Sequence, residues 1–358
     1  MKKHNFSAGP CILPAQVLKQ ASEAVINFDD LDLSLLEISH RSPNFIRVME
    51  RAQALTRELM EVPEGYSILF LQGGASLQFV MAAYNLMPVQ NGKAAYLNTG
   101  SWATKALKEA GRLGEALEVG SSKDQNFNYI PKGYSIPEDA AYFHCTSNNT
   151  IFGTQIRDFP ETGVPVVCDM SSDIFSREIN VADFDLIYAG AQKNMGPAGA
   201  TLVIVKDEVL GKTGRDIPAY LEYQVHAEKD SMFNTPPVFS VYVSMLTLEW
   251  VKEQGGIKAL AQRNQAKAAA MYAEIDRNPL FEGTTAREDR STMNACFVPV
   301  EGVETAEFDR MWQEAGINGI NGHRSVGGYR ASMYNALPLE SVEKLIEVMQ
   351  AFEKKQAA

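Results

Sequence analysis

The sequence predicts an α/β fold: a mainly parallel sheet between layers of helices, followed by a smaller carboxyl-terminal α/β domain. Three observations predict it. Short apolar runs of strand character alternate with helical periodicity between residues 66 and 205, which is the pattern of a parallel sheet covered on both faces. Beyond Val238 the pattern changes to long helices and then to strand, helix, strand, helix. A chain of 358 residues, 45% apolar and 22% charged, has material for two domains and a large core.

The elements follow in order. Pro14 opens a helix with apolar positions Val17, Leu18, Ala21, Val25 and Phe28, since proline suits a first helical turn. A second helix covers 45–60, with Val48, Met49, Ala52, Leu55 and Leu59 on one side. The strand at 66–71 meets Gln72-Gly73-Gly74-Ala75-Ser76 and then a helix through Phe79, Val80 and Ala83. A strand at 94–97 is followed by Gly100-Ser101-Trp102 and another helix, and strands continue at 141–145, 164–168, 186–189 and 201–205. Helices at 241–252 and 257–275 flank a boundary near Gly255-Gly256. The tail reads as strand 295–300, helix 304–315, strand 330–334 and helix 338–354.

Composition narrows the function. A net charge of -11 argues against non-specific nucleic-acid binding. Cys11, Cys145, Cys168 and Cys296 form no Cys-x-x-Cys pair and read as reduced, mostly buried thiols. The start, Met1-Lys-Lys-His-Asn-Phe-Ser7, has no apolar signal core, and no apolar run is long enough to span a bilayer, so a cytoplasmic protein is expected. Asn5-Phe-Ser and Asn148-Asn-Thr match glycosylation acceptors by spelling only. Gly211-Lys-Thr resembles the end of a P-loop, but Lys206 stands where that motif needs glycine, and no Gly-x-Gly-x-x-Gly occurs. No metal site is expected.

Lys193 stands in Tyr188-Ala-Gly-Ala-Gln-Lys193-Asn-Met-Gly-Pro197, where an apolar strand breaks into small, turn-forming residues. Taken alone it reads as a surface-loop lysine, the usual fate of the type. At the end of a buried strand, however, burial lowers its pKa and exposes a nucleophilic amine, as a Schiff-base lysine requires. Asp169 ends the strand at 164–168; it is either a helix cap with Met170-Ser171-Ser172 or a site residue. Asp169 and Lys193 suit two neighbouring strand ends, and ligands of such sheets bind beyond those ends. An amine and a carboxylate facing one cleft can serve pyridoxal phosphate, the amine as imine former and the carboxylate as partner of the pyridine nitrogen. Gly73-Gly74-Ala75-Ser76 is either a tight turn or an anion site of free N–H groups. Trp102 is either a core aromatic or a surface on which a flat ring stacks.

Four blocks stand in order between Asn5-Phe-Ser-Ala-Gly-Pro10 and the last helix: Ser39-His-Arg41, Tyr188-Ala-Gly-Ala-Gln-Lys-Asn194, Ser231-Met-Phe-Asn-Thr-Pro-Pro237 and Gly322-His-Arg-Ser-Val-Gly-Gly-Tyr-Arg-Ala-Ser332. In them the chain resembles, along its length, the phosphoserine aminotransferase family, within class V of the pyridoxal-phosphate-dependent aminotransferases. The resemblance implies the aspartate-aminotransferase-like fold. Residues 1–15 would pack near the site, 16–256 would form the large cofactor-binding domain around a mixed, mainly parallel seven-stranded sheet, and 257–358 would form the small domain.

The resemblance also implies roles. Lys193 carries the cofactor, one per subunit, as a Schiff base and moves the substrate proton. Asp169 pairs with the pyridinium nitrogen, Trp102 stacks on the ring, and Thr150 lies close to it. Ala75, Ser76 and Gln192 help hold the cofactor phosphate, and Asn234 and Thr235 reach it from the other subunit of a homodimer. Arg330 grips the substrate α-carboxylate. His40 and Arg41, with His323 and Arg324 from the partner subunit, form a pocket for the phosphate of phosphoserine that also takes the γ-carboxylate of glutamate. Arginine suits both because its planar fork binds two oxygens at once. Some members carry an arginine where this chain has Ser76, so the pocket here depends on fewer basic residues.

The implied reaction is a reversible ping-pong transfer from L-glutamate to 3-phosphohydroxypyruvate, giving O-phospho-L-serine and 2-oxoglutarate. The four-carbon substrate 3-hydroxy-2-oxo-4-phosphooxybutanoate of pyridoxine biosynthesis is implied as well. One rival is a class-V aminotransferase for small unphosphorylated acids, against which the two His-Arg pairs argue. Another is a catalytically silent pyridoxal-phosphate binder, which needs no such pairs. A cysteine desulfurase would need a mobile cysteine, and none of the four is well placed for that.

Overall fold

In the computed structural model, which describes residues 3–357, strand β1 (His4–Asn5) leads to helices α1 (Ala15–Ile26) and α2 (Pro43–Leu59). Ser42 caps α2 by accepting the Phe45 N–H at 3.4 Å, and Pro43 occupies the first turn, where no N–H is needed. Then β2 (Tyr66–Leu71) runs into α3 (Gly74–Leu86) and β3 (Lys93–Asn98) into α4 (Ser101–Ala110). Five more strands follow: β4 (Glu115–Ser121), β5 (Phe143–Thr146), β6 (Val166–Asp169), β7 (Leu186–Gly190) and β8 (Thr201–Lys206).

These strands form one seven-stranded sheet in the order β2-β8-β7-β6-β5-β3-β4. From β7 through β6, β5 and β3 to β4 every pairing is parallel, while β8 runs antiparallel to both of its neighbours. Every residue of β5, β6 and β7 is buried, because helices cover both faces and leave no side of the strand for polar residues. The parallel arrangement brings the carboxyl ends of β5, β6 and β7 to one edge of the molecule.

Helices α5 (Tyr223–Ala227), α6 (Val238–Glu253) and α7 (Gly256–Arg277) lead to β9 (Phe281–Gly283), β10 (Asn294–Pro299), α8 (Ala306–Glu314), β11 (Ile317–Asn318), β12 (Tyr329–Ser332) and α9 (Leu339–Gln356). Antiparallel pairing gives a second sheet, β12-β10-β9, while β1 pairs in parallel with β11. Phe281, Phe297, Phe308, Tyr329 and Phe352 belong to an apolar cluster distinct from the clusters around the large sheet. One buried cation ties α7 to the turn after β12: Lys267 Nζ donates to the carbonyls of Met333 (2.9 Å), Tyr334 (2.7 Å) and Leu337 (3.0 Å). No helix among the described residues is long and apolar enough to cross a membrane.

The alternation read from the sequence corresponds to the large sheet and the helices beside it, with differences at β4 and α1. β4 is missing from the sequence reading because Glu115 and Glu118 interrupt its apolar pattern; it is an edge strand, and charge is how such edges are protected. Leu18 is 45% exposed, and the buried stripe of α1 consists of Val17, Ala21 and Ala24 instead. Phe28 is buried but lies beyond the end of α1.

Candidate active site

The strand ends and the N-termini of α3 and α4 surround a cavity of about 310 Å³. Its lining includes Gly74, Ala75, Ser76, Trp102, Thr150, Asp169, Gln192, Lys193, His323 and Arg330. Each arrives by a local rule. Asp169 is the last residue of β6, Lys193 lies just past β7, and Trp102 is in the first turn of α4. Gly73 precedes α3 with φ 89°, a left-handed conformation, and a Cβ there would run into the Leu77 side chain. That tight entry turns the first N–H groups of α3, which have no acceptor within the helix, toward the cavity.

Lys193 Nζ donates to Thr150 Oγ1 at 2.9 Å and lies 6.0 Å from the centre of the Trp102 ring. Burial pushes its pKa down from 10.5 to about 8; the Asp169 carboxylate opposes that fall and the Arg330 guanidinium adds to it. The backbone behind it is braced by the chain's start. Cys11 donates its N–H to the Gln192 carbonyl (3.1 Å) and its thiol to the Lys193 carbonyl.

Asp169 is 4% exposed. Its Oδ1 accepts the Ser171 N–H at 2.9 Å and the Ser171 hydroxyl at 2.6 Å. Burial raises its pKa, while the Ser171 bonds and the Lys193 charge pull it back. No helix follows for Asp169 to cap; it closes a local turn and lines the cavity. Trp102 is half-buried rather than in the core, and its Nε1 is buried with no hydrogen-bond partner. On Arg330, Nη1 donates to the Thr150 carbonyl at 3.0 Å while Nε is buried and unpartnered.

His323 lines the cavity of its own chain. Its pKa is lowered by burial and then by the charges of Arg330, Arg324 and Lys105. Arg324 lies outside the lining and is exposed, and His40 and Arg41, just before α2, lie outside it too. Arg41 is exposed, and His40 Nε2 is buried without a partner. Asn234 and Thr235 also lie outside the lining, in a loop that Gln72 holds by donating its Nε2 to the Thr235 carbonyl at 2.7 Å.

Several lining residues went unassigned in the sequence reading: Ala8, Gly9, Thr146, Asn148, Ile151, Ser171 and Ser172. Asn148 Nδ2 donates to Ser172 Oγ and to Asn294 Oδ1, each at 2.8 Å. The available signal was the polar run Thr146-Ser-Asn-Asn-Thr150 at the end of a fully buried strand.

The profile of the class-V aminotransferases matches residues 3–345. The chain belongs to the class-V aminotransferase family. Phosphoserine aminotransferase of Flavobacterium johnsoniae is 63% identical to it over 356 residues, covering 99% of this chain and 100% of the relative. The solved phosphoserine aminotransferase of Bacillus circulans subsp. alkalophilus has a TM-score of 0.96 at 41% identity, over 99% of each chain. The PLP-bound phosphoserine aminotransferase of Trichomonas vaginalis has a TM-score of 0.92 at 35% identity, over 98% of this chain and 100% of that one.

The cofactor of this aminotransferase family is pyridoxal 5′-phosphate, and the cavity fits it. The free N–H groups of Gly74, Ala75 and Ser76 suit a phosphate. The orphaned Trp102 Nε1 and the buried Asp169 carboxylate provide polar atoms that a ring with a phosphate and a protonated nitrogen would engage. A lysine with a lowered pKa provides the amine.

Proposed function

We propose that the chain is a phosphoserine aminotransferase, moving an amino group reversibly between L-glutamate and 3-phosphohydroxypyruvate and yielding O-phospho-L-serine and 2-oxoglutarate. The observation that carries this reading is the meeting of the Lys193 amine, the Asp169 carboxylate and the Arg330 guanidinium around one cavity. Full-length similarity to phosphoserine aminotransferases supports it. The four-carbon substrate 3-hydroxy-2-oxo-4-phosphooxybutanoate belongs to the same proposal, because it offers the same α-carboxylate and phosphate.

When bound, pyridoxal phosphate supplies an aldehyde that takes up the amino group and a ring that accepts the electron pair left by the α-proton. The remaining work belongs to the chain. Lys193 Nζ would hold the cofactor, and its amine, when free, would take up the substrate α-proton and give it back. A pKa of about 8 leaves a useful fraction of its amine neutral near pH 7.5. Asp169 holds a proton on the ring nitrogen. Trp102 and Thr150 fix the ring, and Ala75, Ser76 and Gln192 hold the phosphate. Arg330 orients the α-carboxylate through a guanidinium already fixed on the Thr150 carbonyl. Arg324 and Arg41 provide positive charge for the distal phosphate or γ-carboxylate, and His323 and His40, whose pKa values burial and nearby arginines lower, provide neutral N–H donors.

The active unit in this reading is a homodimer in the cytoplasm, with Asn234 and Thr235 completing the partner's phosphate site. The division into residues 1–15, 16–256 and 257–358 is part of the same reading.

The test is a half-reaction. Cofactor-loaded protein mixed with L-glutamate, without an acceptor, should release one equivalent of 2-oxoglutarate per chain as the visible band changes. No release would sink the aminotransferase reading. With phosphoserine, serine and alanine compared as donors, phosphoserine should have the highest kcat/KM. Equal use of serine would favour an enzyme for unphosphorylated acids.

A further inference from the structure

Asp169 is held asymmetrically. Both of its hydrogen-bond donors, the Ser171 N–H at 2.9 Å and the Ser171 hydroxyl at 2.6 Å, go to Oδ1. Oδ2 receives no hydrogen bond from the described residues, although Asp169 lines the cavity. The Ser171 hydroxyl has a second partner: its oxygen accepts the N–H of Gly190 at 3.1 Å. Gly190 ends β7, the strand that leads to Lys193. A hydroxyl has one hydrogen to donate. With Gly190 occupying a lone pair, that hydrogen is directed at Asp169. The serine therefore bridges the ends of two adjacent strands and fixes its own rotor in doing so.

We propose that Ser171 is a positioning residue for Asp169, holding Oδ1 so that Oδ2 alone faces the cavity as the anionic partner of the ring nitrogen. This rests on the reading of Asp169 given above. With two donors on Oδ1, that oxygen has no room for a proton, so any exchange with the bound group goes through Oδ2. The other charged groups acting on Asp169 are the Lys193 amine, which favours the anion, and the Asp173 carboxylate, which opposes it. Asp173 is itself engaged by Ser147, Gln155 and Arg177. Ser171 thus supplies the only direct hydrogen bonds to the carboxylate among the described residues. Removing its hydroxyl halves them and strands the Gly190 N–H.

The test uses protein loaded with pyridoxal phosphate labelled with ¹⁵N in the ring. In the natural protein the ring nitrogen should stay protonated from about pH 6 to 9. In Ser171→Ala the carboxylate has one donor fewer and holds a proton more strongly, so within that window the proton should pass from the ring nitrogen to Oδ2. The rate of the glutamate half-reaction should fall ~10-fold, the worth of one hydrogen bond to a charged group. KM and cofactor affinity should stay within about threefold, since Arg330 and the start of α3 are untouched. Ser171→Thr, which keeps the hydroxyl, should restore both the protonation and the rate. A ring nitrogen in Ser171→Ala that titrates as in the natural protein would overturn the proposal. So would failure of both Ser171→Ala and the isosteric Ser171→Cys to fold and bind cofactor, because the serine would then be a structural turn residue. Failure of the underlying reading shows elsewhere: the natural protein itself would hold an unprotonated nitrogen or give no half-reaction.

Discussion

Lys193→Met should make the cofactor-free chain more stable near neutral pH while abolishing amino transfer. In the folded chain burial holds this amine near 8 rather than 10.5. Below pH 8 the folded amine is charged and bears the whole cost of burial, a factor of about 300 in its proton equilibrium, or about 3 kcal/mol. Methionine removes that cost and keeps much of the volume. It also removes the 2.9 Å bond to Thr150 Oγ1, worth about 1 kcal/mol. The balance is a gain of about 2 kcal/mol, or roughly 4 °C in melting temperature for a chain of this size. The pH dependence carries its own sign. The folded pKa is depressed, so between about pH 8 and 10.5 the unfolded chain keeps a proton that the folded chain has lost, and the natural protein gains stability as pH rises. The gap between the two proteins should therefore close across that window. Thermal melts of both cofactor-free proteins near pH 7 and pH 10 measure it, and taking the difference cancels the titrations they share. A methionine variant that melts at or below the natural protein near pH 7, or a gap that ignores pH, would refute burial as the source of the amine's reactivity.

Other substitutions separate the remaining roles. Arg330→Ala should raise KM for glutamate ~100-fold, from loss of an interaction of ~3 kcal/mol between guanidinium and carboxylate; steady-state kinetics will show whether kcat falls less, as a binding role requires. Lys267→Met should gain no more in melting temperature than Lys193→Met, because relief of an amine that burial holds near 7 is offset by three buried carbonyls left unpaired at about 1 kcal/mol each. Mixing inactive Lys193→Ala chains with chains carrying Asn234→Ala and Thr235→Ala should restore about a quarter of full activity, since half of randomly paired dimers would be mixed, each with one intact site. No recovery above the separate chains would mean that the loop serves its own subunit or that the chain acts alone.

The large sheet was legible because its central strands are apolar on both faces and its connections are helical, so periodicity and composition agree. Where one side meets solvent, that agreement fails. β4 carries Glu115 and Glu118 on an edge, and β9 is only three residues long (Phe281–Gly283), so neither stands out from a loop. The single reversed strand, β8, was not legible at all. Its residues Thr201 to Lys206 are as apolar as those of β7, and direction depends on pairings that no local pattern encodes.

Two buried lysines mark how far the site itself could be read. Lys193 interrupts a run of small residues after a strand, so its position is visibly unusual. Lys267 lies within α7 among alanines and polar residues, where lysine is ordinary, and nothing local indicates that its ammonium ends on the carbonyls of Met333, Tyr334 and Leu337. The same distinction separates Asp169 from Ser171. A carboxylate at the end of an apolar strand stands out, whereas the serine beside it matters through the Gly190 N–H, which belongs to the next strand. Residue type and strand ends locate the groups that react. The partners that set their charge and direction, Thr150 for Lys193 and Arg330, and Ser171 for Asp169, come from other turns of the fold and become visible only when the strands are side by side. Burial lowers both amines, Lys193 to about 8 and Lys267 to about 7; what separates them is access, since Lys193 is held by one hydroxyl beside a cavity and Lys267 is enclosed by three carbonyls.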